Sequence, residues 1–455
     1  MKAERPIHKM LLNASGRISG HMPGHKGRSP FDACDLYALD TTELSTTDNL
    51  YAPSAAIEEA QCLYAVAVGA GATLFMHNGA TAGIHAMLQM YARPGDTVLL
   101  PRNAHLSAVN ACILGGLRIA WIPVRSTLDG ACAVAEEDVL NALQTHPTAK
   151  ALLLTRPDYY GMCLPLERIA KTAGALNIQL LVDEAHGAHL PWIKAPCSAG
   201  EAGADAWVQS AHKTLPALTG SAVLNLRKKE DRSAALRVLR REQTSSPSFL
   251  LLRSIDDARA WAEDVGAARM AENAARCRRL IAHAEGLGYA NAQNELACLS
   301  PGAVSDPLRV VLSAPQGGFT LLNELSQRGV DAEMADFRRV VMIFSGMSAE
   351  DDFAAVAGAL SAIAPHEEPI PRLSLPPKAE CVCDVRTAAL ARVIQVPLQD
   401  AVGRICAQSV GLYPPGIPLC VPGELLSHEI VEVLLASLPD CRFGLEGDCL
   451  LCADV

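Results

Sequence analysis

Two kinds of segment alternate between residues 54 and 211. Short, almost wholly apolar runs predict strands: TLFMHNG (73–79), DTVLLPR (96–102), LRIAWIPV (117–124), AKALLLTRP (149–157), QLLVDEA (179–185) and AWVQSA (206–211). Before and between them lie segments with apolar residues at helical spacing: 54–70, 79–92, 105–116, 135–146 and 165–177. Strands apolar on both faces must be covered on both faces. The pattern predicts an α/β fold in which helices cover both sides of a mostly parallel sheet.

The run EQTSSPSF (242–249) breaks the alternation, and a long helix is expected from about Ser254 to Leu287. PLRVVLSA (307–314), a helix near 319–329 and RRVVMIFS (338–345) suggest a smaller α/β unit. The proline-rich HEEPIPRLSLPPK (366–378) reads as a linker, followed by the rigid loop YPPGIPLCVPGE (413–424) and the helix SHEIVEVLLASL (427–438). Four parts are expected: an arm (1–45), a large domain (46–265), a small α/β domain (266–370) and a C-terminal domain (371–455).

Composition narrows the classes. Half of the 455 residues are hydrophobic and 19% are charged, which suits a packed globular protein. A net charge of −10 with only 4% aromatics argues against a nucleic-acid partner. The N-terminus has no apolar core of a signal peptide, and no run of about 18 apolar residues exists to span a membrane. Fifteen scattered cysteines read as a reducing compartment, so a cytoplasmic location is expected. Cys381, Cys383, Cys449 and Cys452 could supply four zinc ligands, but ordinary buried cysteines are the better account, and no metal is expected.

The chemistry concentrates at strand ends. HNGATAG (77–83) turns from a strand into a helix, so backbone N–H groups around Gly79, Ala80 and Thr81 suit an anion. In LLVDEAHGAH (180–189), Asp183 ends an apolar strand. Alone it could cap a helix, bind a metal with His186 and His189, or pair with a cationic ring. In WVQSAHKTLPALTG (207–220), Lys213 follows the next strand beside Ser210 and His212. Alone it could be an ordinary surface lysine or a desolvated nucleophile. Together, an anion cradle, a carboxylate and a lysine at one sheet edge are the set that pyridoxal 5′-phosphate requires, with His105 placed to pack on its ring.

These stretches resemble the fold type I pyridoxal phosphate enzymes and, more closely, the shorter bacterial form of the ornithine/lysine/arginine decarboxylase family. The likeness runs through HMPGHKG (21–27), TTELSTTDNL (41–50), NGATAG (78–83), RNAHLS (102–107), VDEAHGAH (182–189), SAHKTLPALTG (210–220), QTSSPS (243–248), EMADFR (333–338) and YPPGIPLCVPGE (413–424). It implies decarboxylation of arginine, lysine or ornithine, with arginine slightly favoured. It implies that Lys213 holds the cofactor aldehyde, Asp183 faces the pyridine nitrogen, His105 stacks on the ring and Ala185 packs on the other face. Gly79, Ala80, Thr81, Ser210 and His212 would surround the phosphate, and His186 would lie near the reacting carbon. Glu333, Asp336 and Glu424 would recognise a basic side chain. The stretch TSSPS would reach a neighbouring subunit's site, implying a homodimer or higher homo-oligomer with shared active sites. The chain lacks the N-terminal wing of long acid-induced members, which implies a role in polyamine synthesis.

Departures from the family pattern stand at Leu106, Asp158, Asn49, Tyr51 and Gly220, and they bear on substrate and outcome. An aminotransferase or amino-acid lyase of the same fold stays open, with Arg338 and Arg339 available to hold a carboxylate. So does a non-catalytic cofactor-binding protein. A nicotinamide enzyme is disfavoured, because no G-x-G-x-x-G follows the first strand.

Overall fold

The computed structural model describes residues 18–26, 28, 39–44, 47–370, 379–412, 417–437 and 439–454. Most of the expected arm, part of the linker and residues 413–416 of the proline-rich loop lie outside them.

Seven strands form the central sheet: β1 (Ala72–Met76), β2 (Thr97–Pro101), β3 (Arg118–Ile122), β4 (Ala151–Thr155), β5 (Gln179–Asp183), β6 (Ala206–Gln209) and β7 (Ala222–Leu226). Their order is β1-β7-β6-β5-β4-β2-β3. The pairs among β2 to β6 are parallel, and β7 runs antiparallel to both β6 and β1. The apolar alternation accounts for six strands. The seventh, β7, is an addition made by the tertiary structure: its run follows a loop rather than a helix, so it falls outside the strand–helix rhythm.

Strand periodicity divides the side chains between two cores. Phe75, Leu99, Leu152, Val182 and Trp207 belong to one, whereas Leu74, Val98, Leu153, Leu181 and Val208 belong to the other. Helices α1 (Ala56–Ala67), α2 (Gly79–Tyr91), α3 (Leu106–Gly115), α4 (Glu136–Thr145) and α5 (Glu167–Ala175) match the five helical patterns. The Asp48 carboxylate accepts N–H bonds from Ser54, Ala55 and Ile57 and so holds the start of α1.

The helix expected from Ser254 begins earlier. Ser248 caps α6 (Phe249–Trp261), which passes through a π-turn at Ala262–Gly266 into α7 (Ala267–Leu287). The smaller domain packs on this rod. Its antiparallel sheet, β8 (Ala290–Asn291), β9 (Arg309–Ser313), β10 (Met334–Ala335) and β11 (Arg339–Ile343), has the order β8-β9-β11-β10. Residues Ile18–Gly20 pair in parallel with Val330–Ala332, which ties the N-terminal segment to this domain. The C-terminal part has its own core, including Leu398, Val410, Leu426 and Ile430.

The sheet order places a crevice. After β2 the chain steps outward to β3, then returns to β4 on the other side of β2. The connections diverge there, and the space outside the carboxyl ends of β2 and β4 is where an open α/β sheet binds its ligand.

Candidate active site

A cavity of about 300 Å³ opens at that edge. Most of its lining residues follow the ends of sheet strands. The turn after β1 brings Gly79, Ala80 and Thr81; β2 leads to Asn103 and His105; β4 leads to Asp158 and Tyr159. From β5 come Asp183, Ala185 and His186, and from β6 come Ser210, His212 and Lys213.

The lysine lies on a single helical turn, Ala211–Thr214, directly after β6. Its Nζ is 3.1 Å from Nε2 of His186. Burial holds the amine below the usual lysine range; Arg309 adds to this, while Asp183 and Glu333 oppose it. His186 is held well below the usual imidazole range by burial, then by the positive fields of Lys213 and Arg309. Asp183 is buried, and its Oδ1 accepts the N–H of Ala185 at 3.1 Å.

His105 caps α3: its Nδ1 accepts the N–H of Ser107 and lies 2.7 Å from that residue's hydroxyl. The ring is thereby held by one nitrogen, and the residue lines the cavity. Burial lowers its pKa, opposed by Asp183 and assisted by Lys213.

The start of α2 has the features of an anion cradle. Asn78 supplies no side-chain cap, and the Gly79 N–H is taken by the Gly220 carbonyl at 2.8 Å. Among the described residues, no atom beyond its chain neighbours and its own helix backbone lies within 4 Å of where a Cβ on Gly79 would be, and its φ of +69° suits glycine. The next N–H groups, at Ala80 and Thr81, have no partner within the helix because of where they stand in it.

A pyridoxal phosphate molecule fits this donor set. The cavity offers a desolvated amine, a carboxylate one strand away, an imidazole face and a helix start, each matching one part of the cofactor. Fold and site together define a pyridoxal phosphate-dependent enzyme of fold type I.

The chain belongs to the ornithine/lysine/arginine decarboxylase family: residues 6–307 match the model "Orn/Lys/Arg decarboxylase, major domain", and residues 381–438 match its C-terminal domain. It is 32% identical over 461 residues to the uncharacterized protein YaaO of Bacillus subtilis, covering 94% of this chain and 93% of that one. It is 31% identical over 483 residues to the arginine decarboxylase of B. subtilis, covering 98% and 95%. Among solved structures, the lysine decarboxylase LdcF of Francisella novicida shares the fold with a TM-score of 0.75 at 16% identity, covering 89% of this chain and 73% of that one.

Every residue expected around the cofactor lines the cavity. The three acids expected at the substrate do not. Glu333 Oε2 accepts the N–H of Met22 at 2.9 Å. Asp336 accepts from the Tyr160 hydroxyl at 2.8 Å and from Arg339 at 3.2 Å. Glu424 is paired with Arg102. Arg338 and Arg339 are also absent from the cavity wall, and Arg339 is buried between Asp129, Glu295 and Asp336. Among the described residues no group of three or more His, Cys, Asp or Glu could hold a metal. His189 instead pairs with Asp306 at 3.1 Å.

Asp158 and Arg309 gain importance from the geometry. Burial pushes the Asp158 carboxyl up to about 6, against a hydrogen bond from the Met162 N–H and the charge of Arg309. Arg309 reaches His186 from β9. Its signal in the sequence was a lone arginine opening the apolar run RVVLS.

Proposed function

We propose that this protein decarboxylates a basic amino acid, arginine before lysine or ornithine, using pyridoxal phosphate held on Lys213. The convergence of Lys213, Asp183, His105 and His186 on one cavity carries this reading. Bound there, the cofactor supplies an electron sink for the substrate's α-carbon. Lys213 would offer its amine, held below the usual lysine range by burial, to the cofactor aldehyde. Asp183 would keep the pyridine nitrogen protonated, and His105 and Ala185 would pack on the two faces of the ring. Ala80, Thr81, Ser210 and His212 would hold the phosphate.

After carbon dioxide leaves, a proton must return to the α-carbon. Lys213 Nζ and His186 Nε2, 3.1 Å apart, form the pair that delivers it. The walls that lower both pKa values also exclude water, which strengthens the charge interactions inside.

Asp158 is the second carboxylate of the cavity wall and meets the cationic end of the substrate. A buried cation needs such a partner. Thr244, Ser245 and Ser246 are exposed, in keeping with a homodimer whose TSSPS segments serve the neighbouring site. No described helix is long and apolar enough to cross a membrane, and the fourteen described cysteines are all free, the latter in keeping with a reducing compartment.

The test is a screen of arginine, lysine and ornithine for carbon dioxide and amine release, run beside Lys213→Ala. Turnover confined to the wild-type protein supports the reading. A keto acid product would establish an aminotransferase, and cofactor uptake without turnover of any substrate would establish a binding protein.

A further inference from the structure

The side chain of Arg309 is fully buried at the start of β9. Its Nη1 donates to the Tyr159 carbonyl at 2.9 Å. Its Nη2 lies 3.5 Å from Nδ1 of His186, and 3.9 Å from Asp306. Asp306 is already engaged by His189 at 3.1 Å and by the Leu308 N–H at 3.0 Å. These contacts fix the plane of the guanidinium.

A guanidinium has donors only. Nδ1 of His186 must therefore accept, so the proton of the neutral ring sits on Nε2. That nitrogen faces Lys213 Nζ at 3.1 Å. An N–H pointed at Nζ needs a lone pair there, which only the uncharged amine has. The opposite tautomer would accept from a lysine ammonium and favour the unreactive form.

We propose that Arg309 is a positioning residue: it fixes the Nε2–H tautomer of His186 and so holds Lys213 as a free amine. The small domain thereby sets the chemical state of a group carried by the large domain. The electrostatics agree. Lys213, Arg309, His105 and His212 all disfavour a charged His186, after burial itself. Around Lys213, Asp183 and Glu333 favour the ammonium, and burial and Arg309 oppose it. The inference rests on Lys213 as the amine that meets the cofactor, and it does not depend on the substrate.

The experiment uses the cofactor-free full chain labelled with ¹⁵N-histidine, with the His186 signal assigned by its loss in His186→Gln. The wild-type ring should show Nε2–H and a neutral state across the neutral pH range. Arg309→Met should populate the Nδ1–H form, and Arg309→Lys should retain the wild-type pattern. The pH at which pyridoxal phosphate uptake reaches half its maximal rate should rise in Arg309→Met by about one unit, a tenfold slower uptake below it. An Nδ1–H ring in the wild type overturns the proposal, whatever the folding of the variants. A Met variant with an unchanged tautomer removes Arg309 as the cause. A protein that keeps Nε2–H yet decarboxylates nothing leaves this inference standing and sinks only the functional one.

Discussion

Glu424 grips Arg102 with both carboxylate oxygens, at 2.8 and 2.7 Å. The same guanidinium donates to the Leu419 carbonyl at 2.8 Å and lies 4.6 Å from the centre of the Trp121 ring. Arg102 begins the turn from β2 to His105, so this pair fastens the C-terminal domain to a wall of the cofactor cavity.

Removing one partner of a buried pair leaves the other charged and unsolvated, at a cost of about 3–5 kcal/mol. Glu424→Ala should lower the unfolding midpoint and weaken the visible cofactor band together. Glu424→Gln, which keeps an acceptor, should lose less. Thermal unfolding followed by circular dichroism and cofactor absorbance checks both; wild-type midpoints in both variants would contradict the role.

Asp183→Asn should retain the cofactor and lose turnover. The amide cannot balance a positive ring nitrogen, so stabilisation is lost where charge develops in the transition state. A fall in kcat on the order of 100-fold or more is expected, by analogy with loss of one preorganised polar group. The measurement is kcat together with cofactor stoichiometry.

The Asp158 carboxyl has a pKa raised by burial to about 6. Above that pH it is ionised and available to a cationic substrate; below it the free enzyme holds it neutral. The KM for a basic amino acid should therefore rise as pH falls through about 6. Asp158→Asn should remove that inflection and raise KM at neutral pH by about 30-fold, equivalent to roughly 2 kcal/mol for a lost buried charge partner. Steady-state kinetics from pH 5 to 8 decide it, and an unchanged KM in the variant would assign the cation to another group.

Gly24 supports the turn that carries Lys213. Its N–H donates to the His212 carbonyl at 2.7 Å, and a Cβ there would lie 2.6 Å from the Leu215 carbonyl oxygen. Gly24→Ala must push backbone from backbone. A displacement of about 1 Å at the reacting amine costs on the order of 100-fold in kcat/KM. The far-ultraviolet circular dichroism should stay unchanged, and activity close to wild type would show that the turn absorbs the strain.

Much of the fold was legible in the sequence because its determinants are local. An apolar strand buried on both faces, followed by an amphipathic helix, specifies itself within about thirty residues. The end of each strand is then known, and so is the residue that the sheet presents at its carboxyl edge. Asp183, Lys213, His105 and the turn at Gly79 could be assembled into one site on that ground. Glu424 stands outside the cavity wall, and its pairing with Arg102 could not be read from the chain because that partner is 322 residues away in sequence. Exposed recognition and buried pairing look alike in a chain until the partner is in place.

The sequence by itself therefore determined the mostly parallel sheet, its carboxyl edge and the residues gathered there. Only the tertiary structure decided how those groups are charged and aimed. It brought Arg309 from the small domain to His186, enclosed Asp158, and committed Asp336 and Glu424 to ion pairs elsewhere. The physical reason is the range of the forces. Hydrophobic periodicity is written in neighbouring residues, whereas desolvation and hydrogen-bond direction depend on every element that closes over the site.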